Sequence, residues 1–560
     1  MAEYPKYRSA DPVEIENRQW PSRRITAPPV WASVDLRDGN QAFIRPMDVA
    51  AKLRYFQMLA QIGFREIEVG YPAASKEEFA FLRQLIEEGQ IPENVRISVL
   101  TAARPDLIER TIEAIRGVDR ATIHCYAATS ELHRRFVFNK SEQELTEMAV
   151  ESTRQIRDAV ESVGLRGRIA YEFSPEEFSD SRLGFVVDLA AAVEEAWASR
   201  GKEDFILNLP ETVERRPPYE YADMVEAFVR RYPAMERTML SVHTHNDQGG
   251  AVAAAEMAVL AGAERVEGTL LGHGERTGNM DLVTFALNLK SRGVEPGLDF
   301  HRLPEIVEFI EEVSGISVHP RAPYAGELVF TAFSGTHQDA IRKGLAQQEA
   351  IAETFHQGWK VPYLHLDPRD VGRSHDGLIR INSQSGKGGV AYVLENVYGI
   401  EVPKAMQPQV AAAVQQEAER SGGELAAPDI HRIFLEKFVE PSGRIELKNF
   451  RIQRPAPTGI DQTGVELALK AGGSVYAVIG TGGGPIEAAA AALRRCPAVP
   501  PFRVEAYSEH ALGRGSDARA IAFIGLKTDD GKVIYGAGVH ENVNIAAITA
   551  MVNALNRFPE

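Results

Sequence analysis

The sequence predicts an α/β protein in which a (β/α)8 TIM barrel is followed by a helical accessory region and a C-terminal α+β domain with an internal pseudo-twofold repeat. Three observations support this fold class. Between residues 29 and 280, a short β-branched run, a polar turn and a longer amphipathic stretch recur eight times. Past residue 300 this rhythm changes to helix-rich sequence. Near the C-terminus, two similar segments each combine a strand pattern, a glycine-rich turn and an alanine-rich helix pattern.

The predicted strands of the barrel can be followed along the chain. In order they are PVWASVDL, FREIEVG, VRISVL, ATIHCY, RIAYEFS, FILNLP, MLSVHTH and RVEGTLLG. Helical patterns follow them, such as MDVAAKLRYFQMLAQIG after the first strand and GAVAAAEMAVLAGA after the seventh. Eight β/α units in about 250 residues suit a closed barrel. A doubly wound open sheet is the alternative, because the same pattern of units would also build one.

The regions outside the barrel follow from the change of rhythm. HRLPEIVEFIEEVSGI and QVAAAVQQEAERSG have helical patterns, and GGSVYAVIGTGGGPIEAAAAALRR resembles GKVIYGAGVHENVNIAAITAMVNALNR. The repeat predicts two copies of one small α+β unit, although chance likeness between two alanine-rich helices is the alternative. We therefore expect an N-terminal extension, a barrel domain, helical accessory subdomains and a C-terminal domain at residues 1–30, 31–310, 311–429 and 430–560.

Charge and cysteine content exclude several classes of function. The formal net charge of −16 argues against a nucleic-acid partner, because such binding depends on clustered Lys and Arg. Cys125 and Cys496 are the only cysteines, so neither a disulfide framework nor a cysteine-based zinc site is expected. The N-terminal residues have mixed charge, and no segment approaches about 18 consecutive apolar residues. We expect a cytoplasmic protein with no membrane partner.

The strongest candidate site is the motif SVHTHND. His243 and His245 lie two residues apart on a predicted strand, so their imidazoles point to the same side. Asp38 ends the first strand, and the carboxyl ends of all barrel strands meet on one face. Asn279, after the eighth strand, could add an oxygen ligand. Two histidines at this spacing are often structural, but the nearby carboxylate favours a divalent metal, which could be Zn, Mn, Co or Mg.

Other polar residues at strand ends are further candidates. Arg37 could stabilise an oxyanion, although a surface salt bridge is its ordinary alternative. The turn GTGGGP at residues 480–485 could hold an effector carboxylate at a helix start, although a plain tight turn is the commoner meaning of such a sequence. The remaining strand-end polar residues include both pocket-lining and structural candidates: His124, Tyr126, Glu172, Ser174, Glu176, Asn208 and Thr212.

Together, DLRDGNQA, SVHTHNDQGGAVAAAE and GTLLGHGERTGN closely resemble the 2-isopropylmalate synthase family, in its long class with a C-terminal regulatory domain. The resemblance also covers AFSGTHQDAI, VPYLHLDPRDVGR and the terminal repeat. It implies an acyltransferase that condenses acetyl-CoA with 3-methyl-2-oxobutanoate to give 2-isopropylmalate and CoA, the committed step of leucine synthesis. It further implies Mg²⁺ as the metal, with Zn²⁺ or Mn²⁺ as alternatives, a monovalent cation such as K⁺, a homodimer, and inhibition by leucine.

The resemblance also implies roles for individual residues. Asp38, His243, His245 and Asn279 match metal ligands, and Arg37 matches the group beside the keto oxygen. Thr212 matches the residue that holds the keto-acid carboxylate. The pocket around the branched side chain is matched by Leu100, His124, Tyr126 and Ser174. Acid–base work is assigned to Glu176, His337 and Tyr363, of which His337 and Tyr363 lie in an accessory region that reaches over the partner's barrel in that family.

Competing functions remain open at this point. A homocitrate or citramalate synthase would differ only in the keto acid that fits, and the matched pocket residues offer no cation for a second carboxylate. A retro-aldol lyase would use the same polarised carbonyl. An amino-acid sensor with a degenerate barrel would not need Asp38, His243 and His245. One departure concerns the charge near the metal, because many relatives have Arg where Gln248 stands.

Overall fold

The computed structural model describes residues 6, 10–375, 387–421, 425–453, 462–513 and 518–559. The chain forms two compact units. The first comprises residues 1–329 together with 368–373, and the second comprises residues 330–367 together with 374–560. Each unit is described by itself.

The first unit contains a closed barrel of parallel strands in the order β1-β2-β3-β4-β5-β6-β7-β8. Pairing of β1 with β8, from Val30 opposite Arg265 to Ser33 opposite Gly268, closes the barrel. The predicted strands are all present, so the barrel is confirmed and the open sheet is excluded. The strands are β1 Val30–Ser33, β2 Glu66–Gly70, β3 Arg96–Thr101, β4 Ala121–Ala128, β5 Ile169–Glu176, β6 Phe205–Glu211, β7 Met239–Thr244 and β8 Arg265–Gly268.

Helices alternate with the barrel strands. Local signals set their ends: Asp48 caps the first helix through the Ala51 N–H, and Gly63 ends it with a φ of 114°. Ser141 and Glu144 form a capping box at the start of the longest helix. The helices of this unit are α1 Val49–Ile62, α2 Lys76–Glu87, α3 Pro105–Ala114, α4 Glu142–Ser162, α5 Leu183–Trp197, α6 Pro218–Arg231, α7 Ala251–Ala261, α8 Leu282–Ser291 and α9 Leu303–Ser314.

The N-terminal segment packs against α6 of the same unit. Trp20 is buried, and its indole N–H donates to Asp223 Oδ1 at 2.8 Å. The backbone N–H of Gln19 donates to the Glu226 carboxylate at 3.0 Å. The extension therefore belongs to the barrel unit in its packing.

The second unit begins with helices, as the sequence predicted for the accessory region. They are α10 Gly335–Leu345, α11 Gln348–Phe355, α12 Lys387–Tyr398, α13 Gln407–Ser421 and α14 Ala427–Phe434. The domain boundaries that we inferred from sequence stay a prediction.

The C-terminal part of this unit consists of two antiparallel three-stranded sheets, each followed by one helix, with sheet orders β11-β10-β9 and β12-β13-β14. The sequence repeat thus corresponds to a structural repeat, which confirms the α+β domain. Its elements are β9 Ile445–Gln453, β10 Thr463–Ala471, β11 Ser474–Gly482, α15 Pro485–Arg494, β12 Arg503–Leu512, β13 Arg519–Lys527, β14 Val533–His540 and α16 Val543–Asn556.

Both copies of the repeat bring a helix close to a strand at a glycine. A Cβ added to Gly480 on β11 would lie 2.2 Å from the backbone nitrogen of Ala492, and one added to Gly536 on β14 would lie 2.3 Å from that of Ala554. In the turn at residues 480–485, the Gly483 N–H donates to Glu487 Oε2 at 2.8 Å, so a side chain of the same helix satisfies this donor. Among the helices of the described ranges, none is long and apolar enough to cross a membrane.

Candidate active site at the carboxyl end of the barrel

A cavity of about 270 Å³ opens at the carboxyl ends of the barrel strands. Parallel strands aim their last side chains at this face, so residues far apart in sequence meet there. Most site residues that we predicted in the barrel line it. The lining residues are Arg37, Asp38, Gln41, Leu100, His124, Tyr126, Ser174, Glu176, Asn208, Pro210, Thr212, His243, His245, Glu267, Glu275 and Arg276.

Asp38, His243 and His245 form a buried cluster with ligand atoms within 4.8 Å of one another. Asp38 lies in a π-helical turn, Asp35–Gly39, after β1, where its N–H donates to the Val34 carbonyl at 2.8 Å. His243 lies in β7 and His245 directly follows its last residue, and the two side chains are on the same side, as the spacing predicted. His243 Nε2 is 3.2 Å from His245 Nε2 and 3.5 Å from Asp38 Oδ2.

The donor atoms of this cluster fit a divalent cation. Within the described residues, Asp38 Oδ2, His245 Nδ1 and Asn279 Oδ1 are buried and have no hydrogen-bond partner. Buried polar atoms are normally satisfied. Asp38 Oδ2 faces Nε2 of His243 at 3.5 Å and Nε2 of His245 at 3.9 Å, so a bound cation would satisfy it. A carboxylate and two imidazoles are ligands that Mg, Mn, Zn and Co all accept.

The pKa values of the cluster show how strongly its members interact. Burial lowers the pKa of His243, but the nearby carboxylates of Asp38 and Glu267 outweigh it and raise the pKa to about 9. Burial and the positive charge on His243 lower the pKa of His245 to about 3. For Asp38, burial favours the neutral form, but Arg37 and the two histidines hold the pKa below its usual range. The cluster thus retains a carboxylate beside a neutral imidazole.

Asn279 lies next to His245 because the loop after β8 pairs with the end of β7. The Met280 N–H donates to the Thr244 carbonyl at 2.8 Å, and the Asn279 side chain donates to the His273 carbonyl at 2.9 Å. That loop needs glycine, since a Cβ on Gly278, where φ is +99°, would lie 1.8 Å from a carbonyl oxygen. The amide oxygen of Asn279 is left without a partner in the described part of the chain.

Arg37 is held between two carboxylates. Its Nε donates to Glu68 Oε2 at 2.8 Å, and its Nη1 donates to Asp38 Oδ1 at 2.7 Å. A guanidinium has five N–H groups, so donors remain that can face the cavity. The Gln41 amide also donates to Asp38 Oδ1, at 2.9 Å. These contacts fix the Asp38 carboxylate and leave its Oδ2 atom facing the histidines.

The floor of the cavity is a closed chain of buried polar contacts. His124 lies between Glu68 Oε1, 2.9 Å from Nδ1, and Ser174 Oγ, 2.7 Å from Nε2. The Asn208 amide donates to Ser174 Oγ and to Glu267 Oε2, both at 3.1 Å. Glu267 Oε2 lies 2.9 Å from His243 Nδ1, which returns the chain of contacts to Asp38 and Arg37. We call this set the polar ring: Arg37, Asp38, Glu68, His124, Ser174, Asn208, His243 and Glu267.

Further lining residues stand around the mouth of the cavity. Thr212 Oγ1 accepts from the Glu177 N–H at 2.8 Å, so its hydroxyl hydrogen remains free to donate elsewhere. Burial, followed by the charge of Glu177, raises the pKa of Glu176. Tyr126 is 37% exposed and Leu100 is half-buried. The mouth therefore offers a hydroxyl donor, a carboxyl group with a raised proton affinity and apolar surface.

His337 and Tyr363 belong to the second unit, where the structure brings them together. Their rings stack with centroids 3.8 Å apart, and Tyr363 is 62% exposed. Tyr363 also has a φ of +64°, which a non-glycine residue adopts only when its surroundings hold it there. The sequence did not show that these two side chains contact each other.

Sequence reasoning missed Glu68, Glu267 and Gln41. Glu68 and Glu267 are buried charged residues inside short strands, and each contacts residues that line the cavity, Glu68 through Arg37 and His124 and Glu267 through His243. A charge in an otherwise apolar strand was the available signal, since a buried charge requires a partner. Gln41 carried no such signal, because a turn brings it to Asp38.

Models of known families match three consecutive parts of the chain. The HMGL-like family matches residues 29–310. The alpha-isopropylmalate synthase post-catalytic domain-like family matches residues 327–395. The LeuA allosteric (dimerisation) domain matches residues 424–559.

Curated relatives match over nearly the full length. A 2-isopropylmalate synthase of Rhodospirillum rubrum is 45% identical over 99% of this chain and 99% of its own. The enzyme of the same name from Ralstonia nicotianae is 46% identical over 99% of this chain and 94% of its own.

Proposed function

Because the chain belongs to the 2-isopropylmalate synthase family, we propose that its barrel cavity is where acetyl-CoA condenses with 3-methyl-2-oxobutanoate. The chain is an acyltransferase of leucine biosynthesis, and its products are 2-isopropylmalate and CoA. The observation that carries the site assignment is the convergence of Asp38, His243 and His245, with unsatisfied lone pairs, in the cavity at the barrel mouth.

The metal site consists of Asp38, His243 and His245, with Asn279 as an additional oxygen ligand. We propose Mg²⁺ as the resident ion, with Zn²⁺ or Mn²⁺ as alternatives, and a monovalent cation such as K⁺ as an activator. When bound, the divalent ion supplies a Lewis acid beside the keto group. Arg37 directs its remaining N–H donors at the keto oxygen and stabilises the negative charge that develops there.

The keto acid is oriented by the mouth of the cavity. The Thr212 hydroxyl donates to its carboxylate, which the free hydrogen of that hydroxyl permits. The branched side chain lies against Leu100, Tyr126, His124 and Ser174. Because His124 and Ser174 satisfy each other and their neighbours, they can border an apolar group without leaving polar atoms unpaired.

This arrangement favours an apolar keto acid over 2-oxoglutarate, the substrate that a homocitrate synthase would take. The cations lining the cavity are Arg37 and Arg276, and each is already engaged by carboxylates. Arg276 Nε donates to Asp247 Oδ1 at 2.7 Å and Arg37 contacts Asp38 and Glu68. A second substrate carboxylate would have to compete with these carboxylates, and at Arg37 with the keto oxygen, for a positive partner among these side chains.

Acid–base work is assigned to three residues. Condensation removes a proton from the methyl group of acetyl-CoA and delivers one to the new alkoxide, and hydrolysis of the thioester needs an activated water. Glu176, whose pKa burial raises, can hold a proton near neutral pH better than an exposed carboxyl group. His337 and Tyr363 are the other two, and we propose that they act in the barrel of a second subunit of a homodimer.

The C-terminal domain gives the enzyme its regulation. Its match to an allosteric dimerisation domain supports leucine as the effector and a homodimer as the working state. A coupling free energy of about 1–3 kcal/mol between effector and active site is typical of such control. We further propose a cytoplasmic location, which two free buried cysteines suit.

The test is release of free thiol from acetyl-CoA by the purified full-length protein. The assay compares 3-methyl-2-oxobutanoate, pyruvate and 2-oxoglutarate after chelation, with Mg²⁺, Mn²⁺ or Zn²⁺ restored, and in KCl or NaCl. We expect metal-dependent release that is greatest with 3-methyl-2-oxobutanoate and that falls as leucine is added. Greatest release with 2-oxoglutarate would replace the proposal by homocitrate synthesis, and with pyruvate by citramalate synthesis. Thiol release that is unchanged after chelation of the metal would contradict the proposed metal site.

A further inference from the structure

Strand β8 carries two charged residues where a barrel interior is usually apolar. Arg265 is 1% exposed and Glu267 is 2% exposed. Burying a charge is costly unless it is paired and hydrogen-bonded, so both residues need a reason to be there. Neither is among the residues to which the sequence resemblance gives a role.

Glu267 connects the interior of the barrel to the metal cluster. Its Oε1 accepts from Arg265 Nη1 at 2.9 Å. Its Oε2 lies 2.9 Å from His243 Nδ1 and accepts from Asn208 Nδ2 at 3.1 Å. One carboxylate thus contacts both a buried cation and the ring nitrogen of His243 that lies away from Asp38.

That contact determines which nitrogen of His243 is available for coordination. A carboxylate paired with Arg265 can only accept, so His243 Nδ1 must carry hydrogen. In the neutral ring, which is the form that coordinates a metal, the lone pair is then on Nε2, the atom 3.5 Å from Asp38 Oδ2. His245 has no comparable support in the described ranges, since its buried Nδ1 lacks a partner. Of the two histidines, His243 is therefore the one whose ring the protein holds in place.

Arg265 fixes Glu267 in turn. Besides Glu267, its guanidinium donates to Glu66 at 2.7 Å, Glu172 at 3.0 Å and Ser241 at 2.8 Å. These partners stand on three other strands of the barrel, so moving Arg265 would require several strands to move. Because Arg265 is anchored in this way, it leaves the Glu267 carboxylate little freedom to move.

We propose that Glu267 is a positioning residue of the active site, which orients His243 and keeps its Nε2 lone pair directed at the metal, with Arg265 as its anchor. This inference rests on the proposed metal site. A carboxylate behind a ligating histidine fixes the ring and its tautomer, and losing one typically weakens metal binding 10- to 100-fold.

Glu172 provides a matched control. It is also buried, also accepts from Arg265 and contacts Glu267, but among the described residues the side-chain partners of His243 are Asp38, His245 and Glu267, not Glu172. Burial raises the pKa of Glu172 well above its usual range, despite the opposing effect of Arg265. A glutamine is close in shape and charge to a protonated glutamate, so Glu172→Gln is a small change. It alters the same buried network at a position that does not contact His243.

The experiment measures Mn²⁺ affinity by calorimetric titration of the metal-free full-length protein, without substrates, alongside thermal unfolding. We expect Glu267→Gln to weaken Mn²⁺ binding about 10- to 100-fold, and Glu172→Gln to change it by less than about threefold. Glu267→Asp keeps the negative charge for Arg265 but withdraws the carboxylate from His243, so it should also weaken binding. It covers the case in which Glu267→Gln does not fold.

The outcomes separate this inference from the metal site itself. Mn²⁺ binding that persists in His243→Ala would overturn the metal site and this inference with it. Binding that requires His243 but is unchanged in Glu267→Asp, or in a folded Glu267→Gln, would overturn the inference alone. Equal weakening by Glu172→Gln and Glu267→Gln would show that only the buried charge balance matters, which also overturns it.

Discussion

The two halves of this molecule use their interiors in opposite ways. The carboxyl end of the barrel buries charged and polar side chains, among them Asp38, Glu68, His243 and Glu267. The core of the C-terminal domain is made of aliphatic, aromatic and many alanine side chains from both helices and both sheets. In the barrel, buried polar groups are tolerated because they are paired into a ring, whereas in the C-terminal domain stability depends on close packing.

This difference predicts which substitutions each region tolerates without losing activity or stability. A preorganised polar site gains function from groups that contribute little to stability or reduce it. A densely packed core gains stability from shape, and any added atom must displace a neighbour. Substitutions should therefore separate activity from stability in the barrel and affect stability first in the C-terminal domain.

The largest effect is expected from His243→Ala. Removing one of the proposed metal ligands should lower metal-dependent thiol release about a thousandfold or more, because several kcal/mol of electrostatic stabilisation would be lost. The metal-free variant should stay folded, because the two carboxylates that His243 contacts keep other partners: Glu267 keeps Arg265, and Asp38 keeps Arg37. Circular dichroism and thiol release on the same preparation measure both. A variant with full activity would contradict the assignment, and an unfolded one would contradict the contrast between the two regions.

Glu211→Gln is expected to have a smaller effect, a pH-dependent change in the free energy of unfolding. Glu211 is fully buried at the end of β6, and neither of its carboxylate oxygens has a partner in the described residues. Burial, with the charge of Glu214 adding to it, raises the pKa of Glu211 from 4.5 to about 9. A raised folded-state pKa gives stability that is complete below about pH 4.5 and is lost as pH rises through about 9.

Glutamine does not ionise, so the variant avoids the loss of stability that Glu211 causes as the pH rises. It should be more stable than the wild type by up to about 3 kcal/mol at pH 7, and by more at pH 9. Thermal unfolding between pH 5 and 9 measures the difference, with Glu93→Gln, an exposed position of the same unit, as the control. A difference that does not grow with pH, or a destabilised variant, would show that the Glu211 carboxyl group is stabilised by its surroundings.

The smallest effect is expected in the C-terminal core, from Gly536→Ala. The added Cβ would lie 2.3 Å from the backbone nitrogen of Ala554 and 2.4 Å from the carbonyl of Ala550, so α16 must shift. Overpacking of this kind destabilises by about 1–3 kcal/mol. Hydrogen exchange of α16 and β14 should increase, while thiol release without leucine stays unchanged. Gly484→Ala, where no atom lies within 4 Å of the added Cβ, is the control. Unchanged exchange would show that the core has room to adjust.

Much of the fold and part of the candidate site could be predicted from sequence, because they depend on patterns within single strands and helices. The alternation of β-branched runs and amphipathic stretches predicted the barrel, and the repeat near the C-terminus predicted the paired sheets and helices. His243 and His245 could be paired because strand geometry alone puts residues two apart on one side. Asp38 followed because every barrel strand ends at the same face.

The sequence by itself determined the barrel, the duplicated C-terminal domain and the cluster of Asp38, His243 and His245. Only the tertiary structure decided that Glu68 and Glu267 complete a polar ring, that Arg265 anchors it, and that the oxygens of Glu211 have no partner within the described ranges. These features depend on which side chains of different strands meet inside the barrel. A single strand's pattern shows that a charge points inward, but the partner that neutralises it is fixed only when the barrel closes.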